Sequence, residues 1–427
     1  MTILPGVRRG GGRIEVPDPN TASWPEIVGV RDMASRCLRM LRCQRPLAPF
    51  RWHGRLTFAT DDPQIFAAVL DARSDIYTRA VHPYKELAEL YAPAGAFTLG
   101  LNRQHGAGRD AMSTIHQVIV DETRKAANEL IARCTRWGRL SLLSSTRELV
   151  LRSVTRILFD VDSSRWSESF VQAAGLVEAW QTLVRGAPEH AALRYYLAAS
   201  EIEHRAAAHV LRASRKPLPR GENQFHPRMS IIETVMNSYN GLAVVLTWIL
   251  YELSRRPDVL CALRSEIDAA TAGQVLERRA IGSLHLTMQV VKECLRLYPI
   301  AWSLGRKAIR EDRLAGQVIP KDAVVVCCTF ALHRNPSIWT NPDTFEPQRF
   351  ASGSGAVRDR FVFLPFGIGP QACPAGQLAP ILLQTLLAAL LTSVDVAIDR
   401  DGPVGMRTLV GLVPSRDLRV RISARTE

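Results

Sequence analysis

A single cysteine stands between a glycine-rich turn and a long apolar segment in FLPFGIGPQACPAGQLAP, residues 363–380. Gly367, Gly369 and Pro370 predict a tight, irregular turn, because glycine adopts backbone angles closed to other residues and proline interrupts regular structure. Cys373 follows this turn and comes immediately before a predicted apolar helix. The free N–H groups and the dipole of a helix N-terminus stabilise a thiolate, which is a good ligand for a soft metal. A buried cysteine without a ligand is the alternative.

The composition indicates a globular protein with a large interior. The chain has 427 residues, of which 47% are hydrophobic and 22% are charged. These values exclude a disordered chain, a collagen-like chain and a polytopic membrane protein. The eight cysteines form no CxxC pair, so neither a disulfide framework nor a zinc ribbon is expected.

The sequence predicts no membrane segment. The N-terminal stretch MTILPGVRRGGGRIEV lacks the apolar run of a signal peptide or a membrane anchor. Two later apolar segments, residues 231–250 and 378–394, are interpreted as buried helices, because the first contains Glu233 and two asparagines and the second is short for crossing a bilayer. We therefore expect a cytoplasmic protein in a reducing compartment.

The chain is basic, with 54 Lys+Arg against 41 Asp+Glu and a formal net charge of +13. Nucleic acid is not the expected partner, because only six of the cations are lysine and the arginines are scattered along the chain. A solvated basic surface is the main interpretation, and docking of an acidic partner protein is the alternative.

The order of predicted elements indicates a single domain over residues 1–427, mainly α with small β-sheets (α+β). Residues 1–20 form a Gly/Arg-rich leader that we expect to be flexible. Residues 54–110 predict a strand-rich edge and a long loop, and loops of this length often carry function. An unusually apolar long helix is predicted at 229–256.

Three further motifs accompany the cysteine segment. KECLRLYP at residues 292–299 places Glu293 and Arg296 one helical turn apart, where they can pair along one face. An ordinary surface ion pair is the alternative for this motif alone. HRNPSIWTNPDTFEPQRF follows at residues 333–350. The third motif, HGAGR, spaces two cationic side chains four residues apart on a predicted helix, where they can bind an anion together: His105 and Arg109.

Together these motifs resemble those of the cytochromes P450, whose spacing the cysteine segment keeps at Phe366, Gly367, Gly369, Cys373 and Ala375. The resemblance covers nearly the whole chain and implies a single-domain P450 fold built around haem b, iron protoporphyrin IX. In such a fold the helix at 229–256 crosses the haem, part of 54–110 lies over it, and residues 363–376 supply the cysteine ligand.

The resemblance also implies roles for single residues. Cys373 would be the axial ligand of the iron, Phe366 would pack beside the haem, and the turn at Gly367 would let backbone N–H groups approach the sulfur. The haem propionates would be bound by His105, Arg109 and Arg306.

The resemblance further implies a buried network in which Glu293 binds both Arg296 and Arg349 and holds the chain around the cysteine loop. Gln371 departs from the usual His or Arg at a propionate, and it retains only a neutral hydrogen-bond donor. Ala375 replaces a common glycine, which is a small-for-small exchange.

The middle of the long helix departs further from the family. Counted back from Thr247 and Trp248, the acid and the alcohol that usually deliver protons during oxygen activation fall on Asn240 and Gly241. Asparagine does not titrate and glycine has no hydroxyl. Three hypotheses remain open: proton delivery through ordered water or a polar group of the substrate, radical coupling without oxygen insertion, and the use of peroxide.

The resemblance implies a haem-thiolate monooxygenase or oxidase for a small hydrophobic or natural-product substrate, acting by hydroxylation, epoxidation or oxidative coupling. No flavin-binding region is recognisable, so a ferredoxin and a ferredoxin reductase are the expected electron donors. The alternatives are a peroxide-using enzyme and a haem-thiolate protein that does not oxygenate, such as an isomerase, a dehydratase or a haem-binding sensor. A helical protein without haem is a further, remote class.

Overall fold

The structure is a computed structural model, and it describes these residues of the chain: 37, 41, 46–52, 55–79, 109–172, 208–209, 212–213, 227–272, 276–354, 359–373, 375–399, 402, 404–408 and 411–425. The leader expected at residues 1–20 lies outside the described residues, as does most of the long loop expected after the first strands. The predicted fold class, mainly α with small β-sheets, is confirmed.

Nine α-helices occur in the described ranges: α1 (Pro63–Ala67), α2 (Arg109–Trp137), α3 (Leu142–Phe159), α4 (Pro227–Ser254), α5 (Pro257–Thr271), α6 (Arg278–Ser283), α7 (His285–Leu297), α8 (Thr329–Leu332) and α9 (Leu378–Ser393). A π-helical turn continues α1 over Ala68–Ala72, and a 3-10 turn covers Pro347–Phe350. Asp62 caps α1, because its Oδ1 accepts from the N–H groups of Gln64 and Ile65.

Twelve short strands belong to the same described part: β1 (Ala48–Trp52), β2 (Arg55–Thr60), β3 (Tyr77–Arg79), β4 (Leu140–Ser141), β5 (Leu304–Ala308), β6 (Asp312–Leu314), β7 (Gln317–Ile319), β8 (Val324–Cys327), β9 (Val394–Ile398), β10 (Met406–Thr408), β11 (Leu412–Pro414) and β12 (Arg419–Ala424). The largest sheet has the order β1-β2-β8-β5-β3, and a second has the order β4-β12-β9. Two antiparallel pairs, β6-β7 and β10-β11, complete the set. In the largest sheet β2 and β8 run parallel and the other neighbours are antiparallel.

Helix α4 lies in the centre of the helical core. Every side chain from Tyr239 to Leu250 is buried, as expected for a helix that is apolar on all sides. This confirms that the first apolar segment is a core helix, and α9 over Leu378–Ser393 is largely buried in the same core. No helix among the described residues combines the length and apolarity needed to cross a membrane.

Helix α7, which carries the Glu/Arg motif, is fixed at its N-terminus by a side chain from α5. The two carboxylate oxygens of Glu266 accept from the N–H groups of Leu286 and Thr287 at 2.6 and 2.9 Å. These N–H groups have no acceptor within α7, so the carboxylate supplies one. Its negative charge also interacts favourably with the positive end of the helix dipole.

The segment before α9 lies between two apolar cores. Leu364 and Ile368 pack in the core under the largest sheet, whereas Phe363 and Phe366 pack against the helical core. The chain therefore presents residues 363–376, which we call the cysteine loop, where sheet and helices meet.

Candidate functional site

Backbone hydrogen bonds fold the cysteine loop into two consecutive turns. The N–H of Gly367 donates to the carbonyl oxygen of Leu364 at 3.2 Å, and the N–H of Ala372 donates to that of Gly369 at 3.1 Å. A further hydrogen bond spans both turns, because the N–H of Cys373 donates to the carbonyl oxygen of Phe366 at 2.9 Å. This bond holds the cysteine beside Phe366 and leaves Cys373 exposed.

Glycine is required at two positions of this loop. Gly367 and Gly369 have φ angles of 72° and 78°, in the region that residues with a side chain rarely adopt. At Gly369 a methyl group would also lie 2.0 Å from the carbonyl oxygen of Leu70, in the π-helical turn after α1. The loop thus rests directly on the backbone of a segment almost 300 residues earlier, and no side chain fits between them.

The expectation that Cys373 comes immediately before a helix is wrong by about one turn. Helix α9 begins at Leu378, and a turn at residues 375–377 precedes it. The carbonyl oxygen of Cys373 accepts from the N–H of Gly376 at 3.0 Å. This bond forms a turn that changes the direction of the chain before the helix starts.

Gln371 offers a polar group inside the loop. Its Nε2 donates to the carbonyl oxygen of Tyr77 at 3.4 Å, and its buried Oε1 has no hydrogen-bond partner in the described part of the chain. A buried amide oxygen without a partner is costly in a closed core. Its presence suits a position that receives a polar group of a ligand.

Behind the cysteine loop, the structure brings together Glu293, Arg296 and Arg349, which we call the arginine network. Arg296 binds Glu293 through two hydrogen bonds of 2.8 Å, and Nε of Arg349 donates to Oε1 of Glu293 at 3.1 Å. The side chains of Glu293 and Arg296 are completely buried, and that of Arg349 is 7% exposed. The surface ion pair considered for the Glu/Arg motif is therefore not what forms.

The two arginines also bind five backbone carbonyl oxygens of the irregular chain around residues 333–349. Arg296 donates to the carbonyl oxygens of His333, Pro342 and Thr344. Arg349 donates to the carbonyl oxygens of Thr340 and Asn341, and also to that of Thr344. Charge-assisted bonds of this kind are stronger than neutral ones. They replace the regular ladder that this segment lacks.

Arg306 lies in β5 with its side chain buried, and its Nη1 donates to the carbonyl oxygen of Gly305 at 2.9 Å. Leu304, two residues earlier on the strand, is the nearest neighbour of Gly367. Because alternate residues of a strand point to one face, Arg306 lies on the face that meets the cysteine loop. Arg109 is the first residue of α2, and His105 lies outside the described residues.

In the middle of α4, Asn240 is buried and binds a residue that the sequence did not indicate. Its Oδ1 accepts from Nε of Arg147 at 2.9 Å, and both side chains are at most 3% exposed. Arg147 comes from α3, which packs along α4. The residues around it, STREL, contain no pattern that marks a functional arginine.

The next residue, Gly241, is covered by Ile300 from the segment after α7. A methyl group at Gly241 would lie 2.6 Å from Cγ2 of Ile300, too close for ordinary contact. The carbonyl oxygen of Ile300 and the side chain of Val244 also approach Gly411. Ile300 therefore stands where a side chain at position 241 would project, and the contact it makes there is apolar.

The residues present fit a haem held by one thiolate. A cysteine thiolate is an established axial ligand of haem iron, and Cys373 is exposed on a loop whose backbone at Gly367 and Gly369 has the positive φ angles that favour glycine. The buried cation of Arg306 lies on the face that meets this loop. A buried guanidinium suits the acidic edge of a porphyrin, because it donates charge-assisted hydrogen bonds to a carboxylate.

This fold and this site define a class of helical proteins that bind haem through a cysteine loop. The model of the family described as cytochrome P450 matches residues 199–416, just over half of the chain. The chain therefore belongs to the cytochrome P450 family.

Vertebrate proteins are among the relatives that match. The human 25-hydroxyvitamin D-1 alpha hydroxylase, mitochondrial, is 30% identical over 349 residues, covering 75% of this chain and 66% of the relative. The mouse protein of that name is 36% identical over 195 residues, covering 45% and 38% respectively. Cytochrome P450 3A40 of Oryzias latipes is 31% identical, covering 45% and 39%. The chain thus spans between about two fifths and two thirds of these relatives.

Among solved structures, the cytochrome P450DA heme domain superposes with a TM-score of 0.76 at 19% sequence identity, covering 93% of this chain and 95% of that one. This similarity confirms the fold over nearly the whole chain.

Proposed function

We propose that this protein is a haem-thiolate monooxygenase or oxidase that oxidises a small hydrophobic molecule or natural-product intermediate. The observation that carries the proposal is the exposed Cys373. Its loop requires glycine at position 369, and the arginine network binds the neighbouring chain. When bound through a thiolate, haem supplies the activation of oxygen. Hydroxylation, epoxidation and oxidative coupling are the reactions within this proposal.

The proposed roles of the residues follow from their positions. Cys373 would bind the iron, Phe366 would pack beside the haem, and the turn at Gly367 would set how closely N–H groups approach the sulfur. Arg306 would pair with a propionate, and the resemblance assigns the same role to His105 and Arg109. The arginine network would hold the loop without touching the haem.

On the opposite side, Asn240 and Gly241 would face the reacting oxygen, and neither supplies a titrating side chain. Arg147 holds the amide oxygen of Asn240, so this side chain is oriented by a buried cation. We propose that protons reach the site through water or through a polar group of the substrate, and that Asn240 orders that path. Asn240→Asp tests this step: unchanged turnover and unchanged product per NADPH would show that the position does not govern proton delivery.

A peroxide-using enzyme is the second candidate, and the contact between Gly241 and Ile300 favours it. This contact places methyl groups where the family's alcohol stands, and peroxide would bring its own protons. Turnover with NADPH and a surrogate ferredoxin pair, compared with turnover on hydrogen peroxide alone, separates the two. Rapid peroxide-driven turnover with none from NADPH would establish the second candidate.

The first experiment is the carbon monoxide difference spectrum of the reduced, purified protein. We expect the band that characterises thiolate ligation, and we expect Cys373→Ala to lose it. A colourless protein, or a Cys373→Ala variant with the same spectrum, would refute the proposal. Product analysis under labelled dioxygen then identifies oxygen insertion, because the products of isomerisation, dehydration and oxidative coupling carry no label. Oxidative coupling differs from isomerisation and dehydration in consuming an oxidant.

The proposed substrate is hydrophobic because the described side chains that approach Gly241 and Gly411 are apolar: Ile300 and Val244. The names of the human and mouse relatives specify hydroxylation of 25-hydroxyvitamin D, which is consistent with an apolar substrate of moderate size. A panel of hydrophobic ligands, scored by displacement of the sixth iron ligand in the visible spectrum, tests this. Binding of polar members only would contradict it.

Electrons are proposed to come from a ferredoxin that docks on basic groups beside the cysteine loop. Arg360 is 69% exposed and pairs with Asp71 at 2.9 Å, in the segment on which Gly369 rests. We expect Arg360→Glu to slow electron transfer, and rising salt to slow the wild-type protein. Arg419→Glu is the matched control, because Arg419 is also exposed and lies on β12, which pairs with the strand after α9, whereas the cysteine loop precedes α9. Equal effects of the two variants would argue against docking at the loop.

A further inference from the structure

His333 occupies the junction between the arginine network and the cysteine loop. It follows α8 directly, and its side chain is completely buried. Its Nε2 accepts from the N–H of Leu364 at 2.9 Å, and its Nδ1 lies 3.2 Å from the carbonyl oxygen of Arg296. The two ring nitrogens thus join the backbone of α7 to the first turn of the cysteine loop.

The partners determine the state of the ring. A backbone N–H can only donate and a carbonyl oxygen can only accept, so the proton sits on Nδ1 and the lone pair on Nε2 faces Leu364. Burial and the charge of Arg296 lower the pKa of His333 to about 3, with Arg334 adding to the effect. At neutral pH the imidazole is therefore uncharged and serves as one donor and one acceptor.

The bond to Leu364 leads to the cysteine through two backbone bonds. The carbonyl oxygen of Leu364 accepts from the N–H of Gly367, which sets the first turn, and that of Phe366 accepts from the N–H of Cys373. Leu364 is buried, so no water would replace the ring if its bond were lost. The start of the loop would then lose its connection to the rigid network behind it.

Aromatic rings hold the imidazole in this orientation. Phe363 lies 5.4 Å from it between ring centroids, and Trp339 contacts it edge-on at 6.4 Å. The indole of Trp339 is itself fixed, because its Nε1 donates to the carbonyl oxygen of Leu332 at 3.1 Å. A side chain packed in this way has one geometry, as a positioning role requires.

We propose that His333 is a positioning residue, which clamps the start of the cysteine loop to the arginine network and thereby keeps Cys373 bound to haem iron as a thiolate. This inference rests on the proposed function for the haem itself. It adds a specific dependence: the acceptor at Nε2 maintains the ligand. The donor at Nδ1 is less important, because the backbone carbonyl of His333 also accepts from Nη1 of Arg296 and keeps the residue on the network.

Two substitutions separate the two ring nitrogens. In His333→Gln the amide oxygen can reach the place of Nε2 and accept from Leu364, whereas in His333→Asn the amide reaches only the place of Nδ1 and leaves Leu364 without an acceptor. The measurement is the rate at which the thiolate-type band of the reduced carbonyl complex is lost in mild urea. We expect His333→Gln to stay within about threefold of the wild type and His333→Asn to lose the band at least about tenfold faster. Equal rates for the two variants, fast or slow, would overturn the proposal.

A measurement on the wild-type protein decides the matter if His333→Asn does not fold. We expect the Leu364 amide to exchange its hydrogen at least about a hundredfold more slowly than the Phe361 amide, which is bound to the carboxylate of Asp359 in an exposed turn. Comparable exchange at both amides would refute the clamp. A wild-type protein without any thiolate-type band would instead refute the proposed function, and the exchange result would still stand for the clamp.

Discussion

The cysteine loop and the middle of α4 differ in how closely they follow the family. The loop keeps its cysteine and its glycines, and it is supported by a fully buried charge network. In α4 the positions that the resemblance assigns to the acid and the alcohol hold Asn240 and Gly241, and two side chains from distant segments contact them. Under the proposed function, the support of the cysteine ligand resembles that of the family while the route of protons differs from it.

The two regions also differ in what holds them. Around the cysteine loop, charges and backbone hydrogen bonds fix the chain, and each has a specific direction. Around Asn240 and Gly241, apart from the bond to Arg147, close packing decides the geometry. Substitutions in the first region should therefore cost more stability than substitutions in the second.

The largest effect is expected from Glu293→Ala, which leaves two buried arginines without their carboxylate. Removing one partner of a buried ion pair costs about 3–5 kcal/mol, and here two partners are affected. We expect little folded protein at neutral pH, measured by urea unfolding and by soluble yield. Glu311→Ala, at an exposed carboxylate, is the control and should unfold like the wild type. A midpoint for Glu293→Ala equal to that of the control would contradict the importance of the network.

Gly369→Ala should have the next largest effect. The left-handed backbone and the contact with the Leu70 carbonyl together should lower the free energy of unfolding by about 2–4 kcal/mol and reduce haem content. Gly353→Ala is a matched control, because Gly353 has a similar φ of 84° and nothing within 4 Å of the added methyl group. Equal losses in the two variants would mean that backbone strain alone, and not the contact with Leu70, explains the glycine.

In α4, Gly241→Thr restores the alcohol of the family and should not restore its function. The added side chain meets Ile300, and overpacking of this kind costs about 1–3 kcal/mol. The double variant with Ile300→Ala should recover part of that stability, and only in it do we expect a change in product formed per NADPH. Unfolding free energies for both single variants and the double variant measure the coupling. Strict additivity would show that Ile300 does not limit this position.

The smallest effect is the change in the free energy of unfolding for each pH unit. Because the pKa of His333 is about 3 in the folded protein and about 6.5 in an unfolded chain, only the unfolded state binds this proton between those values. The stabilisation is complete above about pH 6.5 and is lost as the pH falls toward 3. We expect the wild type to lose about 1.4 kcal/mol per pH unit more than His333→Gln does between pH 6 and 5. Parallel pH profiles would show that the ring is not held neutral.

Much of the site can be predicted from short segments of the sequence. The cysteine loop and the pairing of Glu293 with Arg296 are encoded within short segments, because turn chemistry and helical spacing act over a few residues. The family model and the solved structure confirm the fold that these motifs implied. The predicted start of α9 is wrong, because the turn after Cys373 depends on a backbone hydrogen bond that the residue types do not indicate.

What remained hidden depends on contacts between distant parts of the chain. Arg147 is 93 residues from Asn240, and Leu70 is almost 300 residues from Gly369 along the chain. His333 lies inside a recognised motif, yet its bond to Leu364 exists only because the network and the loop are packed together. The sequence by itself determined that a cysteine would be presented by a glycine turn. Tertiary packing decided what holds that turn in place, because a buried hydrogen bond requires both of its partners to be brought together out of water.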